Sequence, residues 1–446
     1  MTDNIDASPP RTPMGRVAFA SFIGALLEWY DFFVFGTASA VAFGPLFFPN
    51  QNPLNGIMGA FAIFGVGFLA RPLGGVVFGH IGDRIGRKAG LIMTLLIIGL
   101  GTFLIGLLPT WHQAGIAAPI LLLVLRLVQG FGLGGEYAGA ALITIEHAPE
   151  GRRGFWGGMP QAAASAGILL ATLVFALLDG LPKSEFLAWG WRVPFLISIA
   201  FTLIGLFIRL NLLETPDFKK LQQQGMSDVP PLAQLLRDHP GNIMLAFGAR
   251  LAETISSNSI ISSNSINAFG IAYIVSQLAM NRSVGLNAMM VASLIGIPMC
   301  PVFGALSDRF GRRAVYLGGA GFMAAFSYPF FLLLGTKSVA IIWLAFILAY
   351  NLGPTMMFAV EATFFSELFG AGTRYTGLSI AYQVSAIIGG FMPLIGTWFI
   401  KLDGGQPWLI AAFLLGISVL SFVCAMAARR VTDKSPSRHW YPARVL

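Results

Sequence analysis

The sequence predicts an all-α integral membrane protein with twelve transmembrane helices in two pseudo-symmetric six-helix bundles. Hydrophobic residues make up 56% of the 446-residue chain, and charged residues make up only 11%, about half the charged share of soluble domains. The apolar residues form long runs, and a helix needs roughly 20 such residues to cross a bilayer. A charged loop sequence also occurs twice, once in each half of the chain.

Twelve apolar runs, segments 1 to 12 in chain order, account for most of the sequence. They cover 17–48, 55–79, 90–109, 117–146, 152–179, 190–210, 242–279, 284–306, 314–335, 338–366, 374–401 and 407–428. Each run is predicted to be helical, because lipid cannot satisfy the backbone polar groups of exposed strand edges or loops. Strands of a membrane barrel would alternate apolar and polar residues, and these runs do not.

The longest polar connection separates segments 6 and 7, and its Pro230-Pro231 pair and Gly241 are typical helix breakers. It is therefore predicted to join two bundles of six helices. The predicted domains are a cytoplasmic tail (1–16), an N-terminal bundle (17–210), a cytoplasmic linker (211–241), a C-terminal bundle (242–428) and a second cytoplasmic tail (429–446).

The formal net charge of +8 comes from Lys and Arg residues that are distributed according to the predicted topology. Of the 28 Lys and Arg residues, 20 lie in the two tails, the linker and alternate loops. The intervening loops hold only Lys183, Arg282, Lys337 and Lys401. This positive-inside pattern places both termini in the cytoplasm. The basic side chains are therefore expected to face membrane lipid, and no nucleic-acid partner is predicted.

The repeated loop reads GHIGDRIGRK over 79–88 and GALSDRFGRR over 304–313. Its glycines permit tight turns and close helix approach. Its basic residues hold the loop at the cytoplasmic face, and its acid can pair with basic groups or with a helix N-terminus of the other bundle. Such a contact could form in one conformation and break in another. The alternative for either loop alone is a plain topological anchor.

A second repeat supports two parallel halves with the substrate between them. Glu146 precedes Arg153 by seven positions, and Glu367 precedes Arg374 by the same spacing. The residues predicted to serve conformational change are Gly79, Asp83, Arg84, Gly86, Arg87, Lys88, Glu146, Arg153, Gly304, Asp308, Arg309, Gly311, Arg312, Arg313, Glu367 and Arg374.

The two loop motifs resemble the signature of the Major Facilitator Superfamily. Further stretches resemble its metabolite:proton symporter family: EWYDFFVFG (28–36), FLARPLGGVVFGHIGDRIGRK (68–88), LRLVQGFGLGGEYAGA (125–140), WGWRVPFLIS (189–198), LLETPDF (212–218) and ELFGAGTRYTG (367–377). Within that family, RLAE (250–253) and AYQVSAIIGG (381–390) are most similar to shikimate-type permeases. The resemblance implies the Major Facilitator fold and proton-coupled import of a small organic acid (shikimate-like, aromatic or dicarboxylic) by alternating access. It also implies a location in the bacterial plasma (inner) membrane, and the protein is expected to act as a monomer.

Three ionisable residues are predicted to couple transport to protons, because charges inside a bilayer are costly and therefore usually functional. Asp31 stands about 22 Å along a helix from Arg16, and Arg126 lies roughly 14 Å inside the outer end of segment 4. At this shared depth the two can pair, and protonation of Asp31 would then release Arg126. The resemblance implicates the same two positions in proton coupling. Glu28 either takes part in proton coupling or stays protonated and hydrogen-bonded. The alternative for Asp31 and Arg126 is a purely structural ion pair.

Arg71 is predicted about 18 Å above the inner membrane surface. Its permanently charged guanidinium suits a carboxylate substrate, which it can bind with two hydrogen bonds. The alternative is a packing charge that is paired with an acid of another helix.

Segment 7 spans 38 residues, about 57 Å of helix and nearly twice a hydrocarbon core. It contains ISSNSI twice in succession, over 255–266. Either the helix breaks near 258–266 and exposes asparagine to a wet cavity, or one end projects from the bilayer. The predicted substrate-binding residues are Tyr30, Arg71, Gln129, Arg250, Glu253, Asn258, Tyr382 and Gln383. Their alternative role is hydrogen bonding between helices.

No catalytic residues, metal ligands or cofactor are predicted, and the protein is not expected to be an enzyme. The chain lacks the phosphate-binding G-x-x-x-x-G-K-[ST] sequence, so a proton gradient must supply the energy. A multidrug or metabolite efflux antiporter of the same fold is the first alternative, but segment 5 reads GFWGGMPQAAASAG where such proteins carry G-x-x-x-G-P-x-x-G-G. A betaine or proline carrier would be expected to have a coiled-coil tail, and a non-transporting membrane sensor would be expected to have a signalling domain.

Overall fold

The computed structural model describes residues 14–84, 87–178, 180–210, 231–238, 240–256, 273–274, 278–369 and 374–434. This part of the chain consists of helices and short connections, and no β-strand occurs in it.

The first six segments are helical. Segment 1 comprises Met14–Ala38, a π-helical turn Ser39–Phe43 and Gly44–Phe47; segment 2, Pro53–Leu69 and Arg71–Arg84; segment 3, Arg87–Gly106; segment 4, Ala117–Leu133 and Tyr137–His147; segment 5, Arg153–Leu178; segment 6, Gly190–Arg192 and Val193–Leu210. The short helices Trp111–Ala114 and Lys183–Ala188 lie in the connections.

The last six segments are also helical. Helix Pro231–Asp238 precedes them; segment 7 is Pro240–Ser256; segment 8, Arg282–Phe310; segment 9, Arg312–Gly335; segment 10, Val339–Tyr350, a π-helical turn Asn351–Thr355 and Met356–Ser366; segment 11, Arg374–Leu402; segment 12, Trp408–Lys434. The break predicted in segment 7 near 258–266 lies outside the described residues.

Length and composition of these helices fit the membrane prediction. Within the described ranges, nine helices are long and apolar enough to cross a bilayer. Segments 4 and 11 contribute the shorter apolar helices Ala117–Leu133 and Thr376–Met392, and segment 7 continues towards residues that are not described. Each of the twelve predicted segments therefore contains a helix, and the predicted all-α fold is confirmed. The limits of the predicted domains stay predictions.

Segments 2 and 4 approach each other closely through glycines. A β-carbon at Gly130 would overlap the carbonyl oxygen of Gly67, and one at Gly134 would overlap the carbonyl oxygen of Arg71. Segment 4 is interrupted beside this contact, between Leu133 and Tyr137. The glycines thus bring the helix that carries Arg71 against the helix that carries Arg126.

We expect Gly130→Leu to prevent folding, because the added carbons would meet backbone atoms that cannot rotate away. The measurement is the yield of monodisperse protein on size-exclusion chromatography. Gly416→Leu is the matched control, since a β-carbon there has no neighbour within 4 Å. A normal yield of Gly130→Leu would contradict the close approach of segments 2 and 4.

Two packing contacts join the two halves of the chain. Segment 5 lies along segment 8, and segment 11 packs against both helices of segment 2. Segments 4 and 5 also contact segment 10. Side chains that point inward from these helices therefore meet between the halves.

Candidate functional site

A small cavity lies between segments 1 and 2 on one side and segments 7 and 11 on the other. The rings of Trp29, Phe32, Phe33 and Phe68 and the polar side chains of Arg71, Arg250, Glu253, Thr254 and Tyr382 line it. Apolar walls with a few convergent polar groups are typical of sites for small molecules. Its volume of about 40 Å³ admits about three water molecules. The cavity must therefore widen before a metabolite can occupy it.

Arg71 presents a buried cation to this cavity. It follows the break in segment 2 at Ala70 and is 7% exposed. Its guanidinium carbon lies 4.2 Å from the centre of the Phe68 ring and 5.1 Å from that of Phe32. Its Nε has no hydrogen-bond partner, and no carboxylate of the described residues forms an ion pair with it. Glu28 of segment 1 interacts with Arg71 electrostatically but does not form the direct ion pair of the predicted alternative.

Arg250 is engaged from several sides. Its Nε donates to Glu361 Oε1 at 2.7 Å, and one Nη lies 3.5 Å from Glu253 Oε2. The other Nη donates to the Tyr382 carbonyl at 2.9 Å and to Ser385 Oγ at 2.6 Å. The guanidinium also lies over the Tyr382 ring, 3.5 Å from its centre. Arg250 therefore has carboxylate partners of its own, in contrast to Arg71.

Glu361 and Tyr137 belong to this site but were not predicted from the sequence. Glu361 is fully buried in segment 10, and Tyr137 of segment 4 donates to its Oε1 at 3.5 Å. The Tyr137 ring stacks on Tyr382 with 3.6 Å between centres. The rule that a charge within an apolar run is functional applies to Glu361 and would have identified it. Tyr137 carried no comparable signal.

Asp31 and Arg126 do not form the predicted direct ion pair in this conformation. Arg126 lies between the rings of Phe35 and Phe64, with 4.3 and 4.5 Å to their centres. Such cation–π contacts hold the guanidinium in place. Asp31 is buried and its Oδ1 has no hydrogen-bond partner.

Two polar side chains, Gln129 and Thr102, extend from Arg126 towards Asp31. Arg126 donates to Gln129 Oε1 at 3.3 Å, and Gln129 Nε2 donates to Thr102 Oγ1 at 2.7 Å. The Thr102 hydroxyl donates to the Ile98 carbonyl at 2.9 Å and lies near the Asp31 carboxyl. A change in the charge of Asp31 would therefore be felt first at Thr102, which is hydrogen-bonded through Gln129 to Arg126. Gln129 does not line the cavity in this structure, and its predicted role in substrate binding stays a prediction.

Two more residues predicted to bind substrate point elsewhere. The Tyr30 hydroxyl donates to the Pro194 carbonyl of segment 6 at 2.9 Å, and the residue is fully buried. Gln383 Nε2 donates to the Gly134 carbonyl at 2.9 Å, which fastens segment 11 to the interruption of segment 4. Asn258 lies outside the described residues. Arg71, Arg250, Glu253 and Tyr382 do line the cavity.

The second copy of the loop motif connects the two halves. The Asp308 carboxylate accepts hydrogen bonds from the backbone N–H groups of Gly154 at 2.7 Å and Phe155 at 2.9 Å. These groups begin segment 5, so Asp308 makes the helix N-terminal contact that the sequence predicts for this motif. Gly304 lies directly against the Gly154 backbone. In the same motif Arg312 pairs with Glu367.

The first copy of the motif is described in less detail. Lys88 Nζ donates to the Leu210 carbonyl at 2.6 Å. Gly86 lies outside the described residues. The side chains of Asp83, Arg84, Arg87, Glu146 and Arg374 also lie outside the described set. Their predicted roles stay predictions.

Asp308→Ala is expected to shift the protein towards a conformation in which segments 5 and 8 separate at this contact. The substitution removes a helix cap, which is worth about 0.5–2 kcal/mol, from a contact between the halves. Maleimide labelling of cysteines introduced along segment 5 should therefore rise severalfold. The matched control is Asp403→Ala, which removes a similar cap from Trp408 and Leu409 within one half. Equal labelling in the Asp308 variant and the unsubstituted protein would contradict this role.

Comparison with known proteins gives one consistent family. The Major Facilitator Superfamily model matches residues 22–390 and 256–441. The shikimate transporter of Escherichia coli is 38% identical over 92% of this chain and 93% of that protein. The proline/betaine transporter of Salmonella typhimurium is 33% identical over 93% of this chain and 83% of that protein.

Solved structures show the same fold. A structure of the proton:xylose symporter XylE bound to 6-bromo-6-deoxy-D-glucose matches with a TM-score of 0.72 and 17% identity, over 94% of this chain and 96% of that one. The twelve helices and their arrangement in two halves agree with this architecture. The chain therefore belongs to the Major Facilitator Superfamily and is a multi-pass membrane transporter, not an enzyme.

Proposed function

We propose that the protein imports a small organic acid together with protons, by alternating access across the bacterial inner membrane. Arg71 carries this proposal, as a buried cation on the wall of the cavity that forms no direct ion pair with a carboxylate of the described residues. An uncompensated charge in a low-dielectric site is costly. A substrate carboxylate would offset this cost.

The cavity walls suit an acid with a ring. Trp29 and Phe33 stack with 5.5 Å between centres, and they offer flat apolar faces to a ligand. Glu253 and Thr254 on the opposite wall can hydrogen-bond to hydroxyl groups. A hydroxylated ring acid such as shikimate would satisfy both walls, and the shikimate transporter among the relatives supports this choice.

Proton coupling is assigned to Asp31 and its connection to Arg126. A protonated Asp31 loses its charge, and the hydrogen bonds through Thr102 and Gln129 then change partners. We place Glu28 in the same network, because it interacts electrostatically with Arg71 and Arg209. The proton gradient supplies the energy, no cofactor is required, and the monomer is the working unit.

A zwitterion is the second candidate substrate class. Relatives include proline/betaine transporters, and an ammonium group would find aromatic rings and Glu253 in this cavity. Glu253 already interacts with Arg250, so a cationic group would have to compete with that arginine. For this reason we prefer the acid.

The test is uptake by purified protein in proteoliposomes, with and without an imposed pH gradient. The radiolabelled panel is shikimate, benzoate, succinate, glycine betaine and proline. We expect uptake of at least one acid to be stimulated by external acidification, with shikimate first. Uptake of betaine or proline, with no uptake of any acid, would assign a zwitterion as the substrate instead of an acid. Uptake of an acid without any response to pH would refute symport.

A further inference from the structure

Two buried acids share one arginine beside the cavity. Arg250, Glu253 and Glu361 are 3%, 5% and 0% exposed. The arginine pairs with Glu361 Oε1 at 2.7 Å and with Glu253 Oε2 at 3.5 Å. The second oxygen of Glu361, Oε2, has no hydrogen-bond partner. With both carboxylates ionised, this cluster carries a net charge of −1.

The remaining neighbours do not compensate this charge. Tyr137 of segment 4 donates to Glu361, and Thr254 donates to Glu253 Oε2 at 3.2 Å. Tyr316 of segment 9 and Tyr382 of segment 11 also face the acids, and both are neutral phenols. Among the described residues, Arg250 is the one cation that forms an ion pair with either acid.

Arg71 belongs to the opposite half and lines the same cavity as Arg250 and Glu253. A substrate carboxylate bound at Arg71 would therefore face an acidic cluster of the same sign. Like charges repel strongly at short distance where water is excluded. One proton on the cluster removes this repulsion, and Glu361 Oε2 is an unoccupied position for it.

We propose that Glu253 and Glu361 together bind one transported proton, and that the organic acid binds only when this proton is present. The inference rests on the proposed function as an organic-acid importer. The proton adds to one carboxylate oxygen and no other bond changes. The charge of the cluster rises from −1 to 0, and release of the proton in the cytoplasm would expel the acid. This site is distinct from Asp31, which does not line the cavity.

Substrate binding measured without a pH gradient distinguishes protonation of Glu253 and Glu361 from protonation of Asp31. Purified full-length protein in nanodiscs is titrated with radiolabelled shikimate between about pH 5.5 and 8.5. If one proton is required, affinity falls about tenfold per pH unit on the alkaline side, and each binding event takes up about one proton, read with an indicator dye. Glu253→Gln and Glu361→Gln, two neutral mimics, should each flatten this pH dependence and abolish proton uptake.

Asp31→Asn is the matched comparison, because it neutralises a buried acid outside the cluster. It should keep the pH dependence of binding. If the dependence disappears in Asp31→Asn and persists in both Gln variants, the proton resides at Asp31 and the inference is overturned while symport stands. Elution volume and melting temperature verify that each variant is folded.

Infrared spectroscopy tests the cluster without a substrate. The ligand-free protein should show the C=O band of a protonated carboxyl that fades as pH rises. The double variant Glu253→Gln/Glu361→Gln should lack that component. If the unsubstituted protein shows this component but binds no acid, the proposed function is refuted and protonation of the cluster is supported. An unchanged band in the double variant would refute the inference.

Discussion

Asp31→Asn is expected to remove one coupled proton, so uphill accumulation of the substrate falls while exchange of substrate across the membrane continues. Asparagine keeps the size of the side chain but cannot bind and release a proton. A pH difference of one unit supplies about 1.4 kcal/mol per proton, or a tenfold accumulation. In the variant the inside-to-outside ratio should therefore fall about tenfold per unit of pH difference, to the level that the proton of Glu253 and Glu361 still supports. Steady-state uptake and counterflow in proteoliposomes measure the two quantities.

Tyr30→Phe is the control for this experiment. Tyr30 precedes Asp31 in the chain, but its hydroxyl bonds to the Pro194 carbonyl away from the cavity. Accumulation should remain close to that of the unsubstituted protein. Accumulation by Asp31→Asn equal to that of the unsubstituted protein under the same gradient would contradict the coupling role of this carboxyl.

Arg71→Gln is expected to weaken binding of the acid by two orders of magnitude or more. Loss of one partner of a buried ion pair costs about 3–5 kcal/mol, and 1.4 kcal/mol corresponds to tenfold in affinity. The primary amide of the same acid carries no charge, so its weaker binding should change little. Competition against a radiolabelled ligand in nanodiscs measures both affinities.

Arg71→Lys refines this result. Lysine keeps the charge but lacks the planar fork that binds a carboxylate with two hydrogen bonds. We expect an affinity between those of the unsubstituted protein and Arg71→Gln. Equal losses for the acid and its amide in Arg71→Gln would assign Arg71 to packing.

The positions of the helices could be predicted from hydrophobic runs, but their interruptions could not. Segment 4 breaks between Leu133 and Tyr137, where Gly134 lies against the backbone of segment 2. Segment 10 contains a π-helical turn at Asn351–Thr355, with non-helical backbone angles at Gly353. Contacts with other helices determine these local changes, and a single apolar run contains no record of those contacts.

The spacing of residues along a helix predicts which charged residues lie at the depth of the site, but not which groups they contact. It placed Asp31 and Arg126 at the same height, yet in the structure Arg126 bonds to Gln129, and Gln129 bonds to Thr102. Neighbouring positions on a helix differ by about 100° in direction. Tyr30 therefore points towards segment 6, whereas the Asp31 carboxyl lies near Thr102 of segment 3. Sequence spacing gives height along the bilayer normal, whereas packing sets which way each side chain faces.

The coupling of protons to the acid is tested most directly by a pH jump at zero membrane potential. Proteoliposomes loaded at neutral pH and clamped with potassium and valinomycin are diluted into medium one pH unit more acidic, with labelled shikimate outside. We expect a transient accumulation of about tenfold per coupled proton, lower by one such factor in Asp31→Asn. Equal uptake with and without the pH jump would contradict this coupling.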